Sequence, residues 1–257
     1  MSKHPQIVLI TGASSGIGAA LAREYAAPGV TLHLIARNGE RLQAVANDCR
    51  AKGAEVRSAR IDVTDKLAMA AYIEKADAAA PIDLIIANAG VSAGTFIGEE
   101  SFDKAHRVFD VNVGGVLHTI HPILPRMVAR RAGHIAIISS LAGMIAYPGA
   151  AAYSASKAAV RFYGEALRAV HCDDKVDFSI ILSGWIDTPM TEINHFPMPL
   201  LLRADQAARI IRQGLHKKKA RIAFPLRVYW MIRFTEMLPP SWLAFALRHM
   251  PEKWRKA

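Results

Sequence analysis

Short apolar runs alternate with segments of helical periodicity along most of the chain. "QIVLI" at 6–10 and "TLHLIA" at 31–36 have the length and composition of buried strands. Further strands are predicted at 55–61, 82–90, 134–139, 176–182 and 221–224. Helices are predicted between them at 16–27, 39–52, 65–79, 99–112, 115–131, 153–171 and 205–216.

This alternation predicts the fold class. Consecutive parallel strands need a long crossover, usually a helix. The prediction is therefore an α/β protein with a single Rossmann-type doubly wound parallel sheet of about seven strands. Helices cover both faces of that sheet, and a helical C-terminal extension follows it. The predicted boundaries are 1–224 for the sheet domain and 225–257 for the extension.

Composition narrows the class of protein. At 52% hydrophobic and 21% charged residues, the chain can bury a full core and is not disordered. Cys49 and Cys172 lie far apart without metal or redox spacing, which predicts two free thiols in a reducing compartment. No apolar stretch reaches the length of a spanning helix, and the N-terminus has too few apolar residues for a signal peptide. We therefore expect a cytoplasmic protein.

The net charge of +10 lies entirely in residues 203–257, because basic and acidic residues balance before them. In 225–257, apolar and aromatic residues alternate with cations, which predicts two short helices separated at Pro239–Pro240. Two interpretations stay open. The segment could lie peripherally in an anionic membrane interface, on the inner face of the membrane. It could instead pack against protein, as a substrate lid or as a contact in a homodimer or homotetramer.

Two other basic or ligating patterns predict nothing further. "HKKKAR" at 216–221 is accompanied by no recognised nucleic-acid-binding motif, so we expect a solvated face and no nucleic-acid partner. His118 and His121 are three residues apart, but no third ligand is evident, so no metal site is predicted.

The sequence "TGASSGIG" at 11–18 stands where the first strand meets the first helix. Gly12 permits a tight turn, Gly16 lets a pyrophosphate approach the backbone, and Gly18 allows close helix–strand packing. Free N–H groups and the positive end of the helix dipole favour phosphate there. The turn therefore predicts a dinucleotide site.

The end of the second strand indicates which dinucleotide is bound. An acidic residue there would bind the adenosine ribose of NAD, whereas a basic one can pair with a 2′-phosphate. The chain has Ala36 and Arg37, and no acidic residue before Glu40. The expected cofactor is NADP(H).

"YSASK" at 153–157 offers a candidate general acid. Tyr153 and Lys157 are one helical turn apart and share a face. An adjacent ammonium stabilises a phenolate and lowers the pKa of the phenol.

With these motifs in this order, the chain resembles the short-chain dehydrogenase/reductase family over about residues 6–190. The resemblance rests on "TGASSGIG", "DV" at Asp62–Val63, "NAG" at 88–90, "VN" at 111–112, "ISS" at 138–140 and "YSASK". It implies that Tyr153 protonates the substrate carbonyl, that Ser140 orients it, and that Lys157 tunes Tyr153 and holds the nicotinamide ribose. Asn112 would hold a water that links Lys157 to solvent.

The resemblance also implies the cofactor contacts. They are Gly12, Ser14, Ser15, Gly16, Ile17, Gly18, Arg37, Asp62, Val63, Asn88, Ala89, Gly90, Tyr153, Lys157, Ile186 and Thr188. One position departs from the family pattern: Ser183 replaces the usual proline before Gly184, and its freer φ is expected to loosen that loop.

The resemblance implies an NADP(H)-dependent oxidoreductase that interconverts a ketone or aldehyde with an alcohol, on a small lipophilic substrate and in the reductive direction. One alternative is a 3-oxoacyl-thioester reductase, against which the absence of a glycine-rich C-terminus argues. Another is a non-catalytic NADP(H)-binding scaffold docked on membranes. The presence of Ser140, Tyr153 and Lys157 argues against that scaffold.

Overall fold

The computed structural model describes residues 5–92, 100–147, 149–192, 198–239 and 241–242. Its strands are β1 (Ile7–Thr11), β2 (Thr31–Ala36), β3 (Glu55–Arg60), β4 (Leu84–Ala87), β5 (Gly133–Ser140), β6 (Val176–Ser183), β7 (Ile186–Asp187), β8 (Leu202–Arg203) and β9 (Arg221–Phe224). Seven of them form a parallel sheet in the order β3-β2-β1-β4-β5-β6-β9, and β7 pairs with β8. All seven predicted strands are confirmed.

The helices that connect these strands are α1 (Gly16–Tyr25), α2 (Gly39–Ala51), α3 (Lys66–Ala79), α4 (Phe102–Phe109), α5 (Gly115–Ile120), α6 (Leu124–Ala129), α7 (Ala151–Val170), α8 (Ala204–His216) and α9 (Leu226–Thr235). A π-helical turn covers Asp110–Gly114, and 3₁₀ turns cover Leu141–Gly143 and Cys172–Asp174. No helix within the described ranges combines the length and apolarity needed to cross a membrane. Cys49 is buried and Cys172 exposed, both as free thiols, as predicted.

The helix predicted at 115–131 is wrong in one respect, because the chain breaks it into α5 and α6. Pro122 and Pro125 lie at the break, and proline has no N–H to continue a helical ladder. The helix predicted at 99–112 begins at Phe102, capped by the Ser101 hydroxyl, which accepts from the Lys104 N–H. Of the second helix predicted in 225–257, only Ser241 and Trp242 lie among the described residues, and both are helical.

The core lies on both faces of the sheet. Side chains alternate along a strand, so Val8 and Ile10 pack in one apolar cluster and Leu9 packs in the other. Helices α1, α2 and α8 contribute to the first cluster, and α3, α5 and α7 to the second. Burial on both faces explains why the central strands β1, β2 and β4 are nearly continuous apolar runs, whereas the edge strand β3 is largely exposed.

The sheet topology positions the site. The direction in which strands are added reverses between β1 and β4. From β1 the chain adds β2 and β3 toward one edge of the sheet, and from β4 it adds β5, β6 and β9 toward the other edge. In parallel sheets a crevice opens at the carboxyl ends of the strands on either side of such a reversal. Thr11, Ala87 and Ser140 end β1, β4 and β5, so the glycine turn and the serine motif share one edge.

Candidate active site

A cavity of about 770 Å³ lies at this edge of the sheet. It is lined by most of the predicted site residues: Gly12, Ser14, Ser15, Gly16, Ile17, Arg37, Val63, Asn88, Ala89, Gly90, Ser140, Tyr153, Lys157, Ile186 and Thr188. Gly18, Asp62 and Asn112 are not among the lining residues. Asp62 instead lines a smaller neighbouring cavity of about 410 Å³, together with residues of α4.

The glycine turn requires its glycines. Gly12 and Gly16 have φ values of 67° and 53°, in the left-handed region that favours glycine. A Cβ on Gly18 would stand 2.3 Å from the Gly12 carbonyl oxygen and 2.5 Å from the Asn88 amide nitrogen. Gly18 therefore acts beneath the turn, by letting α1 approach β1 and the end of β4.

Thr11 joins the turn to the "NAG" segment, a role that sequence reasoning missed. Its hydroxyl accepts hydrogen bonds from the backbone N–H groups of Asn88 and Ala89, at 3.1 and 3.2 Å. The Asn88 side chain in return donates to the Thr11 carbonyl at 2.9 Å. These bonds hold the ends of β1 and β4 in register at the cavity.

Arg37 lies at one end of the cavity and is half-exposed. Its Nη1 is 3.5 Å from Asp62 Oδ2. Burial works to raise the pKa of Asp62, but bonds from the Thr64 backbone and hydroxyl and the charges of Arg37 and Arg107 hold it below its ordinary value. Arg41 of α2 also lines the cavity here. Two guanidinium groups therefore face one end of the cavity.

Ser140, Tyr153 and Lys157 meet at the opposite end. The Ser140 hydroxyl donates to the Ser183 carbonyl at 3.2 Å and also hydrogen-bonds with the Tyr153 phenol. Lys157 Nζ lies 5.8 Å from the centre of the Tyr153 ring and donates to the Ile138 carbonyl at 2.9 Å. The predicted trio is thus brought together at one site.

The surroundings of Tyr153 correct one part of the sequence-based expectation. Burial raises the pKa of Tyr153, and the Ser140 hydrogen bond opposes that rise without cancelling it. Burial also lowers the pKa of Lys157 to about 8. The expected lowering of the Tyr153 pKa is absent because desolvation dominates, and because the Lys157 ammonium is bonded to a backbone carbonyl rather than to the phenol.

Two contacts fix the position of Lys157 on α7. The Ser139 hydroxyl donates to the Lys157 carbonyl at 2.7 Å, which ties α7 to the end of β5. A Cβ on Gly143 would stand 2.6 Å from the Lys157 carbonyl carbon, so only glycine permits this approach. Neither Ser139 nor Gly143 was predicted, because the contacts join segments distant in sequence.

Asn112 lies fully buried in the π-helical turn. Its side chain accepts from the Val91 N–H at 2.8 Å and donates to the Val91 carbonyl and the Ser156 hydroxyl, both at 3.0 Å. A Cβ on Gly90 would stand 3.2 Å from Asn112 Oδ1 and 3.3 Å from Lys157 Nζ. Gly90 thus lets the backbone of this segment pack closely against Asn112 and Lys157.

Ser183, which replaces the usual proline, lies in a strand rather than in a loop. It is the buried last residue of β6, paired with Ser140 on one side and Phe224 on the other. After it, the Gly184 N–H donates to the Phe224 carbonyl at 2.8 Å. Thr188 follows in a turn in which its N–H donates to the Thr191 hydroxyl at 3.0 Å.

The cavity has apolar walls that the sequence did not identify. Tyr147 and Trp185 line it with their rings in an edge-to-face arrangement, 6.5 Å between centres. Val228, Met231 and Ile232 of α9 line it as well. Trp185 could have been found from the sequence, because it is an aromatic residue directly after Gly184. No local pattern predicts which face of α9 points into the cavity.

The buried ammonium predicts a stability effect. The Lys157 pKa falls from 10.5 to about 8, so the charged group penalises the fold fully below about pH 8. The penalty disappears toward pH 10.5, because in that window the unfolded chain binds more protons than the folded chain. Removing the buried charge stabilises the fold by about 1.36 kcal/mol per pKa unit, whereas losing the hydrogen bond to the Ile138 carbonyl destabilises it. Together, these effects mean that Lys157→Met should raise the free energy of unfolding at pH 7 by about 2 kcal/mol.

Urea unfolding of the nucleotide-free protein at pH 7 and pH 10 measures this effect. The gain should shrink at the higher pH. Lys175→Met is the control, because Lys175 is an exposed lysine beyond the end of α7. Equal gains at both pH values would contradict the assignment of the effect to charge burial.

The sequence profile described as "short chain dehydrogenase" matches residues 6–196. An uncharacterized oxidoreductase of Myxococcus xanthus (strain DK1622) is 35% identical over 243 residues, which cover 94% of this chain and 96% of that protein. A short-chain dehydrogenase/reductase from Burkholderia phymatum in complex with NAD has a TM-score of 0.84, at 26% identity and 98% coverage of both chains. A short-chain dehydrogenase from Sphingobium yanoikuyae in complex with NADPH has a TM-score of 0.80 at the same identity and coverage.

Proposed function

The chain belongs to the short-chain dehydrogenase/reductase family of oxidoreductases, and on this premise we propose that it is an NADP(H)-dependent carbonyl reductase. It interconverts a ketone or aldehyde with an alcohol, acts on a lipophilic substrate and runs in the reductive direction. The observation that carries the proposal is that Ser140, Tyr153 and Lys157 meet in one cavity with the glycine turn.

The cavity fits a nicotinamide dinucleotide. Gly12 and Gly16 form a cradle of positive φ that a Cβ would obstruct, at the N-terminus of α1 where phosphate is favoured. Ser14, Ser15 and Ile17 extend this cradle. Val63 and the Asn88–Gly90 segment would hold the adenosine half of the cofactor, and Asp62 would contact the same half from the neighbouring cavity. Ile186 and Thr188 would hold the nicotinamide half. Gly18 shapes the turn from beneath.

Arg37 supports the phosphorylated cofactor. It lines the cavity at the end of β2 with Arg41 close by, and the residue after Ala36 is not acidic. A guanidinium recognises phosphate through paired hydrogen bonds. Of the two structures compared above, one contains NAD and the other NADPH. The choice of NADP(H) therefore rests on these arginines.

The residues suit a reduction in which the bound cofactor supplies hydride. Tyr153 donates its phenolic proton to the carbonyl oxygen, and burial favours the protonated phenol that this step needs at neutral pH. The Ser140 hydroxyl, which donates to the Ser183 carbonyl in this structure, would turn to donate a hydrogen bond that orients the same oxygen. Lys157 would stabilise the phenolate that remains, and Asn112 would hold a water through which the proton is replaced.

A carbonyl panel tests the proposal directly. NADPH oxidation is followed with apolar ketones and aldehydes, with 3-oxoacyl thioesters, and with no substrate. We expect turnover with apolar carbonyls. Preference for thioesters would favour a 3-oxoacyl-thioester reductase, and tight NADPH binding without turnover on any member would favour the non-catalytic scaffold.

We further propose that residues 1–224 carry the catalytic and cofactor-binding residues, and that 225–257, which also contribute α9 to the cavity wall, dock this cytoplasmic protein peripherally on the inner membrane face. The outer face of α9 exposes Leu226, Trp230 and Phe234 beside the cations Arg227 and Arg233. Apolar and aromatic groups flanked by cations suit an anionic lipid interface. The alternative is a contact between subunits of a homodimer or homotetramer.

Flotation with anionic vesicles separates these two possibilities. The protein should float at low salt and be released at high salt, because exposed charges are screened over about 8 Å at physiological ionic strength. Arg227→Glu with Arg233→Glu should reduce the bound fraction. Each lost cation weakens the free energy of binding to the vesicle by about 1 kcal/mol, and each new glutamate adds repulsion from the anionic lipid.

Arg57→Glu with Arg60→Glu is a control of equal charge change on β3. Absence of flotation at low salt would end the membrane proposal. A change in sedimentation with the α9 pair would then identify a subunit contact.

A further inference from the structure

Helix α9 closes the substrate end of the cavity. It packs on the 3₁₀ turn Leu141–Gly143, directly after Ser140, and it lines the cavity with Val228, Met231 and Ile232. Ile232 is buried, whereas Met231 lines the cavity and is half-exposed on the other side. Met231 therefore stands at the rim between cavity and solvent.

The start of α9 is held against the loop that carries Trp185. The Gly184 N–H donates to the Phe224 carbonyl at 2.8 Å. A Cβ on Gly184 would stand 2.8 Å from Pro225 Cδ. Pro225, directly before α9, thus lies against Gly184, and residues of α9 line the same cavity as Trp185 and Tyr147.

The middle of α9 is held by a polar anchor. Arg221, at the start of β9, donates from Nη1 to the Tyr229 hydroxyl at 3.1 Å and from Nη2 to the Glu165 carboxylate. Glu165 belongs to α7, the helix that also carries Tyr153 and Lys157. One guanidinium thus ties α9 to the catalytic helix. All three side chains lie outside the cavity lining.

The pocket selects against charge. Among the described lining residues, the charged ones are Arg37 and Arg41 at the adenosine end and Lys157, whose ammonium is bonded to Ile138. Beside Ser140 the cavity is lined by the uncharged serines Ser139 and Ser183 and by apolar or aromatic side chains, among them Leu141, Tyr147, Trp185, Val228 and Met231. Burying a charged substrate group there would be costly.

We propose that α9 is the specificity wall for bulky, uncharged ketones, with Met231 setting the pocket length and Arg221 and Tyr229 acting as positioning residues. This inference rests on the proposed carbonyl reduction and deepens it. Neither Arg221 nor Tyr229 touches the reacting atoms. Their effect on the reaction is transmitted by the placement of α9.

Met231→Trp tests the wall, with α-tetralone as the bulky ketone and cyclopentanone as the small one. The larger side chain should fill the pocket end and lower kcat/KM for α-tetralone at least about tenfold, while cyclopentanone reduction and the NADPH Kd stay near wild type. Met237→Trp is the matched control, because Met237 is 80% exposed and lies outside the cavity lining. Equal losses on both ketones, or no loss, would overturn the wall.

Tyr229→Phe tests the anchor by removing only the hydroxyl that Arg221 contacts. Loss of one charge-assisted bond should raise KM for α-tetralone about fivefold, with kcat on cyclopentanone and the NADPH Kd unchanged. A purely structural role would lower activity on both ketones together. Tyr72→Phe is the control, since it removes a phenol bonded to His33 at 3.1 Å, far from α9. An unchanged KM for α-tetralone would refute the positioning role.

Binding distinguishes failure of this inference from failure of the proposed function. If wild type oxidises no NADPH with either ketone, the thermal shift that α-tetralone produces on the NADPH-loaded protein is compared in wild type and Met231→Trp. If the thermal shift is lost only in Met231→Trp, then α9 bounds the ketone pocket even though the proposed reductase activity is wrong. No shift in wild type would overturn the wall as well.

Discussion

Tyr153→Phe should lower kcat/KM for carbonyl reduction by about a hundred- to ten-thousand-fold, the range that a positioned general acid supplies. The variant keeps the ring packed and removes only the proton donor that Ser140 contacts. NADPH affinity should be largely unchanged, because the phenol acts on the substrate. Nucleotide oxidation for activity and a direct NADPH titration for binding measure the two effects separately.

Tyr163→Phe is the matched control on the same helix. Its phenol hydrogen-bonds with the His121 ring at 3.0 Å and does not line the cavity. It should retain full activity. Lys157→Ala should impair both turnover and NADPH binding, because that side chain is proposed to serve both. A fully active Tyr153→Phe would refute the assignment of the acid.

Arg37→Asp should weaken NADPH binding about a hundredfold and improve the use of NADH. The substitution removes charge-assisted bonds to the 2′-phosphate, each worth about 1.5–3 kcal/mol, and places a carboxylate beside Asp62. The same carboxylate can accept hydrogen bonds from the unphosphorylated ribose. Titrations with NADPH and NADH give the change in preference.

Arg57→Asp makes the same charge change on the neighbouring strand without lining the cavity, and it should leave both affinities near wild type. This control separates a local contact from a general loss of positive potential. If the wild-type protein already prefers NADH, the assignment of Arg37 is wrong whatever the variant does.

The local patterns of the sequence determined the elements and the chemistry at their ends. Whereas the edge strand β3 is largely exposed, strands β1, β2 and β4 are nearly continuous apolar runs because both of their faces are buried, so their signal does not depend on distant residues. The same holds for the glycine turn, in which positive φ at Gly12 and Gly16 is a property of the chain itself. "YSASK" placed Tyr153 and Lys157 on one face by helical geometry alone.

Tertiary structure alone decided how these pieces are held and what surrounds them. Thr11 meets Asn88, Ser139 meets Lys157, and Arg221 meets Glu165, and no local periodicity records such pairs. The pKa of Tyr153 also escaped prediction, because desolvation depends on the whole environment and opposes what one neighbouring cation suggests.

The same distinction applies to α9. Its amphipathic pattern predicted a helix but not which side would be covered, because a helix with apolar residues on several faces can pack in more than one orientation. The orientation of α9 follows from the sheet, because β9 ends at the substrate end of the cavity. There Pro225 packs against Gly184, and Arg221 hydrogen-bonds with Tyr229. The wall of the site therefore follows from long-range packing, and its catalytic residues from local sequence.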